Sequence, residues 1–206
     1  LKDQPATELA AKVVADAVSR SALSPEHIGH CVIGSVLHGD RRDMYISRVA
    51  ALKAGLPVET PSLTVNRLCG SGLQALVSAA QMILLDDCDV AVAGGSESMS
   101  RAPYWLPAAR FGANMGDGSM VDSLTGVLTC PMGDVHMGVT AENVADKFKI
   151  SREQQDELAN QSHQRAQRAI EENRFDGQIL PIEIKTRKGI TTFNQDEHVR
   201  FDCDIE

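Results

Sequence analysis

No uncharged apolar run in this 206-residue chain approaches the roughly 18–20 residues that a membrane-spanning helix requires, so a transmembrane protein is not expected. C-x-x-C pairs are also absent. The five cysteines (Cys31, Cys69, Cys88, Cys130, Cys203) are odd in number and widely spaced, which argues against a zinc site and against a disulfide framework. Free thiols in a reducing compartment, the cytoplasm, are the simplest expectation. There is no long run of charge of either sign, no internal repeat and no low-complexity tract. The net charge of −8 speaks against a nucleic-acid partner while leaving room for a local basic site that takes an anionic ligand. With 43% hydrophobic and 23% charged residues, the chain has the composition of a soluble globular protein, long enough for one large domain or two small ones. Both ends read as cut: the chain opens without Met at Leu1-Lys-Asp-Gln-Pro5 and stops at Asp202-Cys-Asp-Ile-Glu206 with no closing element. Any targeting segment upstream would be invisible.

Along the first ninety-eight residues, helix and strand patterns alternate. Pro5 to Ala22 carries Leu9, Val13, Val14, Ala17 and Val18 at the spacing of one helical face, with Pro5 and Glu8 at its opening. Cys31 to Leu37 reads as a buried strand, Tyr45 to Ala54 as a second helix, and Pro61 to Val65 as a second strand. Gly72 to Leu85 reads as a third helix with Leu73, Leu76, Val77, Ala80 and Leu84 on one side, and Val90 to Gly95 as a third strand. Such alternation indicates an α/β fold with a mainly parallel, covered sheet. The third helix also contains Ser78-Ala-Ala80, and its small residues suit a helix buried between two sheets.

Beyond Glu97 the character changes. Five of the seven methionines fall between residues 99 and 137, in a glycine-rich, irregular stretch. Methionine-lined loops adapt to flexible apolar ligands, and Met equally fills gaps in irregular structure. A helix is expected from Ala141 to about Lys149. Another opens at Ser151-Arg-Glu-Gln154, a capping-box pattern, and runs to about Asn173 on a narrow face of Leu158, Ala159, Ala166 and Ile170. Ile182 to Lys185 and Thr191 to Phe193, joined through Arg187-Lys-Gly189, read as a hairpin.

The chemistry-bearing segment is Ser62-Leu-Thr-Val-Asn-Arg-Leu-Cys69-Gly-Ser-Gly-Leu-Gln-Ala-Leu76, where a strand pattern gives way to a helix pattern. Cys69 therefore stands at or just before a helix N-terminus, whose unpaired N–H groups favour a thiolate. Gly70 and Gly72 leave space around the sulfur. The arrangement resembles a nucleophile elbow, while an inert buried cysteine is the commoner fate of the residue type. Gly70-Ser-Gly72-Leu-Gln-Ala75 also fits the loose dinucleotide pattern G-x-G-x-x-A, with Glu97 beyond the next strand. Against that reading, Asn66-Arg-Leu-Cys69 separates the strand end from the first glycine.

Val65-Asn-Arg-Leu-Cys69-Gly-Ser-Gly-Leu and Ala93-Gly-Gly-Ser-Glu-Ser-Met-Ser100 closely resemble the signatures of thiolases. The resemblance continues collinearly through His136-Met-Gly-Val-Thr-Ala-Glu-Asn-Val144, Ser151-Arg-Glu-Gln-Gln-Asp156, Arg187-Lys-Gly-Ile-Thr191 and Asp196-Glu-His-Val-Arg200. It is strongest to the bacterial biosynthetic and broad-range β-ketothiolases (acetyl-CoA acetyltransferases). It implies the thiolase-like αβαβα layered fold, first half only, with an inserted α+β loop domain. Residues 1–98 would be the partial first half, lacking its opening strand. Residues 99–206 would be the loop domain that holds coenzyme A, with the second half absent.

By the same resemblance Cys69 is the nucleophile that takes an acyl group from a coenzyme A thioester. An acetyl-CoA carbanion then attacks in a Claisen condensation, and thiolytic cleavage of a 3-ketoacyl-CoA is the reverse. The Cys69 N–H would help hold the oxyanion. His136 and Met137 would line the acyl and pantetheine end of the pocket, with Leu128 flanking it, and Arg200 and His163 would lie near the nucleotide. Glu97 and Asn66 look structural, holding turns near Cys69. The family's activating His and second Cys belong to the second half; no Gly-His-Pro motif occurs here, so the 206 residues alone are expected not to turn over. Acetyl-CoA and acyl-CoA are the implied substrates, with no tightly bound cofactor, no metal, and a homo-oligomer, commonly a tetramer. A decarboxylating ketosynthase shares the fold and the cysteine, but the His136-Met-Gly motif speaks for a thiolase. A non-catalytic acyl-CoA- or sterol-binding relative would be expected to lack Cys69, and a dinucleotide-binding oxidoreductase is the remotest alternative.

Overall fold

Cys31, Val32 and Ile33 are almost wholly buried, although consecutive side chains of a strand point to opposite faces. That places them on a central strand covered on both sides. In the computed structural model, which describes residues 1–112, 114–187 and 189–204, this strand is β1, His30–Gly34. It is preceded by α1, Ala6–Arg20, and followed by α2, Ile46–Lys53, then β2, Ser62–Val65, α3, Ser71–Leu84, and β3, Ala91–Gly95. The sheet order is β2-β1-β3, parallel throughout, with Cys31 opposite Ser62 and Val92.

The two faces of β1 are packed differently. Cys31 and Ile33 meet Ala10, Val14 and Val18 of α1 and Ile46, Ala50 and Ala51 of α2 in one core. Val32 meets Ala75 and Ala79 of α3 in the other. Ser47 ties α2 to the sheet edge: its Oγ donates to the Leu63 carbonyl at 2.7 Å and accepts from the Ile33 N–H at 3.2 Å. Burial pushes the Cys31 thiol up to about 11, so it stays a protonated core residue.

Two helix faces differ from the periodicity reading. On α1 the buried stripe is Ala6, Thr7, Ala10, Ala11, Val14 and Val18, and Val13 is exposed. On α3 the side against the sheet is Ser71, Ala75 and Ala79, while Leu73, Leu76 and Leu84 are 69%, 53% and 81% exposed. The reason is distance. A Cβ placed on Gly34 of β1 would lie 2.5 Å from the Ser71 carbonyl carbon, so only small side chains fit between α3 and the strand. The larger residues take the opposite face, which nothing among the described residues of this unit covers.

Past β3 come short elements: β4, Tyr104–Trp105, pairs antiparallel with β5, Val121–Asp122, and α4, Ser123–Val127, is N-capped by Asp122, whose Oδ1 accepts from the Leu124 N–H at 2.9 Å. The chain divides into two compact units, Leu1–Leu128 and Thr129–Glu206. Residues 99–128 fall within the first of these units. The Arg101 main chain packs directly on Gly39, and the Arg101 guanidinium lies 3.9 Å from Asp40.

The second unit contains the two-residue pair β6, Thr129–Cys130, and β7, Val135–His136, then α5, Met137–Phe148, α6, Arg152–Glu171, and the hairpin of β8, Ile182–Thr186, with β9, Gly189–Phe193. Helix α5 begins four residues earlier than its apolar pattern indicates, because His136 caps it. The Ser151/Gln154 capping box at α6 is present in both directions, with Ser151 N–H donating to Gln154 Oε1 at 2.9 Å and Gln154 N–H to Ser151 Oγ at 3.3 Å. Leu158, expected on the covered face of α6, is exposed, and Asn160 is the buried position. The hairpin has the expected strands; Lys188 of its turn lies outside the described residues, as do Ile205 and Glu206 of the closing segment. Among the described residues no helix is long and apolar enough to cross a membrane.

Candidate active site

All three parallel strands deliver their C-terminal ends to one place. After β1 the chain continues through Ser35, Val36 and Leu37, after β2 through Asn66 to Cys69, and after β3 through Ser96 and Glu97. These segments, with Met99 and residues of α4, line a cavity of about 350 Å³ that includes Cys69. A crevice at the carboxyl ends of parallel strands is where open α/β sheets bind ligands, and the volume lies within the range of small-molecule sites. Val36, Leu37, Leu68, Met99, Leu124 and Leu128 make the lining largely apolar. Its titratable members are Cys69 and Glu97 alone.

Cys69 is exposed, two residues ahead of the first residue of the fourteen-residue α3. The turn that presents it is unusual. Leu68 has φ of +47°, a left-handed conformation that costs a non-glycine residue about 1–2 kcal/mol. Two side chains hold it there. The Asn66 carboxamide oxygen accepts from the Leu68 N–H at 3.0 Å. The buried Ser71 Oγ accepts from the Arg67 N–H at 2.8 Å and donates to the Leu68 carbonyl at 2.6 Å. A thiol is thus displayed on a constrained turn, at the positive end of a helix dipole, over an apolar cavity. Such an arrangement suits a nucleophile that attacks an uncharged carbonyl.

Ser71 escaped sequence reasoning because its two partners are main-chain groups, which almost any residue types at positions 67 and 68 would supply. We expect Ser71→Ala to lose about 1–3 kcal/mol, since it takes away the acceptor of the Arg67 N–H in a site where Ser71 is 5% exposed, while the Leu68 carbonyl keeps only its bond from the Ser71 main-chain N–H at 3.0 Å. Denaturant unfolding, with alkylation kinetics at Cys69 as a second reading, measures it.

Glu97 does hold main chain, but that of the segment after β1 rather than the Cys69 turn. Its Oε2 accepts from the Val36 N–H at 2.7 Å and its Oε1 from the Leu37 N–H at 3.1 Å, with Ser35 Oγ at 3.5 Å. Asn66 holds the Cys69 turn itself, as described.

The other expected binding residues are placed as follows. Leu128 shares the cavity with Cys69. His136 is exposed and its Nδ1 accepts the Gly138 N–H at 3.0 Å, capping α5; the neutral ring therefore carries its proton on Nε2. Met137, the first residue of α5, is 39% exposed. His163 and Arg200 are brought together, with the Arg200 N–H donating to His163 Nδ1 at 3.2 Å, and the His198 ring lies 6.1 Å from that of His163. Cys88 sits in the turn between α3 and β3, its thiol pushed up by burial and then by Asp87 and Asp89. Cys130 lies in β6. No group of three or more metal-capable side chains occurs among the described residues.

A three-stranded parallel sheet with helices on both faces and a cysteine on a strand-to-helix turn defines the class: an α/β domain that presents an exposed thiol to an apolar cavity. Comparison with known proteins is specific. The family model described as "Thiolase, N-terminal domain" matches residues 1–206. The beta-ketothiolase BktB of Cupriavidus necator is 56% identical over 206 residues, covering 100% of this chain and 52% of that protein. The acetyl-CoA acetyltransferase of Bacillus anthracis superimposes with a TM-score of 0.91 at 41% identity, over 99% of this chain and 52% of that one. Human mitochondrial 3-ketoacyl-CoA thiolase, solved in complex with CoA, gives a TM-score of 0.90 at 41% identity, over 97% of this chain and 50% of that one. The chain belongs to the thiolase family. It spans about half the length of these relatives.

Proposed function

We propose that the protein carrying this chain is an acyltransferase that forms or cleaves 3-ketoacyl-CoA through an acyl-cysteine intermediate on Cys69. The observation that carries this reading is the exposed Cys69 on its strained turn at the head of α3, opening onto the apolar cavity. In the proposed first half-reaction the Cys69 sulfur attacks the thioester carbonyl of acyl-CoA. The new C–S bond forms as the bond to the coenzyme A sulfur breaks, and the coenzyme leaves as its thiol. In the second, the α-carbanion of acetyl-CoA displaces the cysteine and a 3-ketoacyl-CoA is released. The Cys69 N–H, at the positive end of α3, is suited to the developing oxyanion.

On this reading Leu128, Met137 and His136 contact the acyl and pantetheine portions of the thioester, and Arg200 and His163 its nucleotide. Leu128 in the cavity lining and the adjacency of Arg200 to His163 support those assignments. We likewise read residues 1–98 as part of the first thiolase half and residues 99–206 as its loop domain. The proposed working form is a cytoplasmic homotetramer, supported by the family resemblance. Brief exposure of the full-length protein to acetyl-CoA, followed by peptide mass spectrometry, is expected to place an acetyl group on Cys69. An acetyl group on another cysteine, or on none, overturns the reading.

A further inference from the structure

Glu97 is the one carboxylate in the lining of the Cys69 cavity, yet its oxygens are not free to act as a base there. Both are turned to main-chain N–H groups sixty or more residues away in sequence, on the segment that leaves β1. That segment leaves the sheet after two further main-chain bonds, from the Ser35 N–H to the Val65 carbonyl and from the Ser96 N–H to the Gly34 carbonyl, both at 3.1 Å. Val36 and Leu37 themselves line the cavity. The Val36 and Leu37 N–H groups thus both bond to one carboxylate, beside an apolar surface next to the candidate nucleophile.

We propose that Glu97 is a positioning residue for the acyl group: by accepting the Val36 and Leu37 N–H bonds, it fixes an apolar wall of the Cys69 cavity against which the alkyl part of the acyl donor is buried. This deepens the acyltransferase reading and, as a statement about acyl groups, rests on it. Glu97 performs no proton transfer in this scheme. Its charge strengthens two hydrogen bonds, and those bonds hold Val36 and Leu37 in place. An amide at position 97 keeps the shape but has one acceptor oxygen where the carboxylate has two, so one N–H loses its partner.

The test reads the wall directly, with thiol reagents in place of substrate. Cys69 is alkylated in the full-length protein with iodoacetamide and, in parallel, with its N-hexyl derivative. With the wall fixed, burial of the hexyl chain favours the longer reagent by about 10-fold relative to the same pair of rates on the denatured protein. In Glu97→Gln that advantage falls to within about 2-fold of the denatured value, while the iodoacetamide rate itself changes by less than about 2-fold. Hydrogen exchange at Val36 and Leu37 rises by about 10-fold, with α1 and β1 as protected as before. Glu97→Asp keeps the charge on a shorter arm and is expected to fall between the two. A purely structural role would lower both alkylation rates, or neither, and leave their ratio unchanged. If Glu97→Gln loses protection throughout the first unit, the same two measurements on Glu97→Asp decide the matter. An unaltered reagent ratio with unaltered exchange overturns the proposal. Failure of acetyl-CoA to label Cys69 in the wild-type protein would sink the acyltransferase reading instead, and the reagent ratio would still report on the wall.

Discussion

Cys69→Ser is expected to abolish acylation of the chain by acetyl-CoA and to lower turnover of the full-length protein by about 10³-fold or more. The cavity explains the size of the effect. A thiol ionises within reach of neutral pH, whereas a serine hydroxyl requires a base to remove its proton during attack. The one other titratable group in the lining is Glu97, whose oxygens are engaged by Val36 and Leu37. Within this half serine at position 69 therefore has no activating partner, and the His that the family resemblance places in the second half would have to deprotonate a far less acidic alcohol in place of a thiol. The folded state should hardly notice the change, because Cys69 is exposed and packs little, so stability should remain within about 0.5 kcal/mol. Intact-mass analysis after acetyl-CoA exposure, together with a thermal melt, checks both parts. Undiminished acylation of the variant would remove Cys69 from the mechanism.

The second large effect is Gly34→Ala. Its new methyl would sit 2.5 Å from the carbonyl carbon and 2.6 Å from the oxygen of Ser71, and 2.8 Å from the Gly72 nitrogen. All three are main-chain atoms, so no side chain can swing aside. The first turn of α3 has to move away from β1, which we expect to cost about 2–4 kcal/mol and to lower the melting temperature by about 5–15 °C. The same displacement carries the Cys69 turn with it, so acylation should fall more steeply than stability alone accounts for. Gly72→Ala is the internal control. A methyl there meets nothing within 4 Å, and alanine is the better helix former, so stability should hold or rise by about 0.5–1 kcal/mol. A similar loss of stability in both variants would show that helix propensity, and not the close approach at Gly34, governs this junction.

This contrast also shows how far the sequence could be read. The alternation of β1, α2, β2, α3 and β3 was legible because each element carries its own period, and Cys69 because a strand pattern and a helix pattern meet there. What failed was the choice of buried face. Hydrophobicity favoured Leu73, Leu76 and Leu84 as the covered side of α3, whereas the sheet accepts Ala75 and Ala79 because Gly34 brings the backbones together. That selection is made by interatomic distance, which no single segment encodes. Glu97 could be suspected of holding a turn, but its partners at Val36 and Leu37 come from the segment that follows β1, two strands before β3. His136 is a similar case: its motif suggested a binding role, and its capping of α5 emerged only once the helix start was located.

Leu68 has a consequence for how variants around the nucleophile should behave. Its left-handed backbone is a loaded conformation, kept so by bonds from Asn66 and Ser71. A spring of this kind does not yield in proportion to each weakened tie. When the retaining bonds no longer outweigh the strain, the peptide flips to an ordinary right-handed or extended state and the sulfur leaves its station. Substitutions near Cys69 should then produce two populations, one reactive and one silent, rather than a single population of intermediate reactivity.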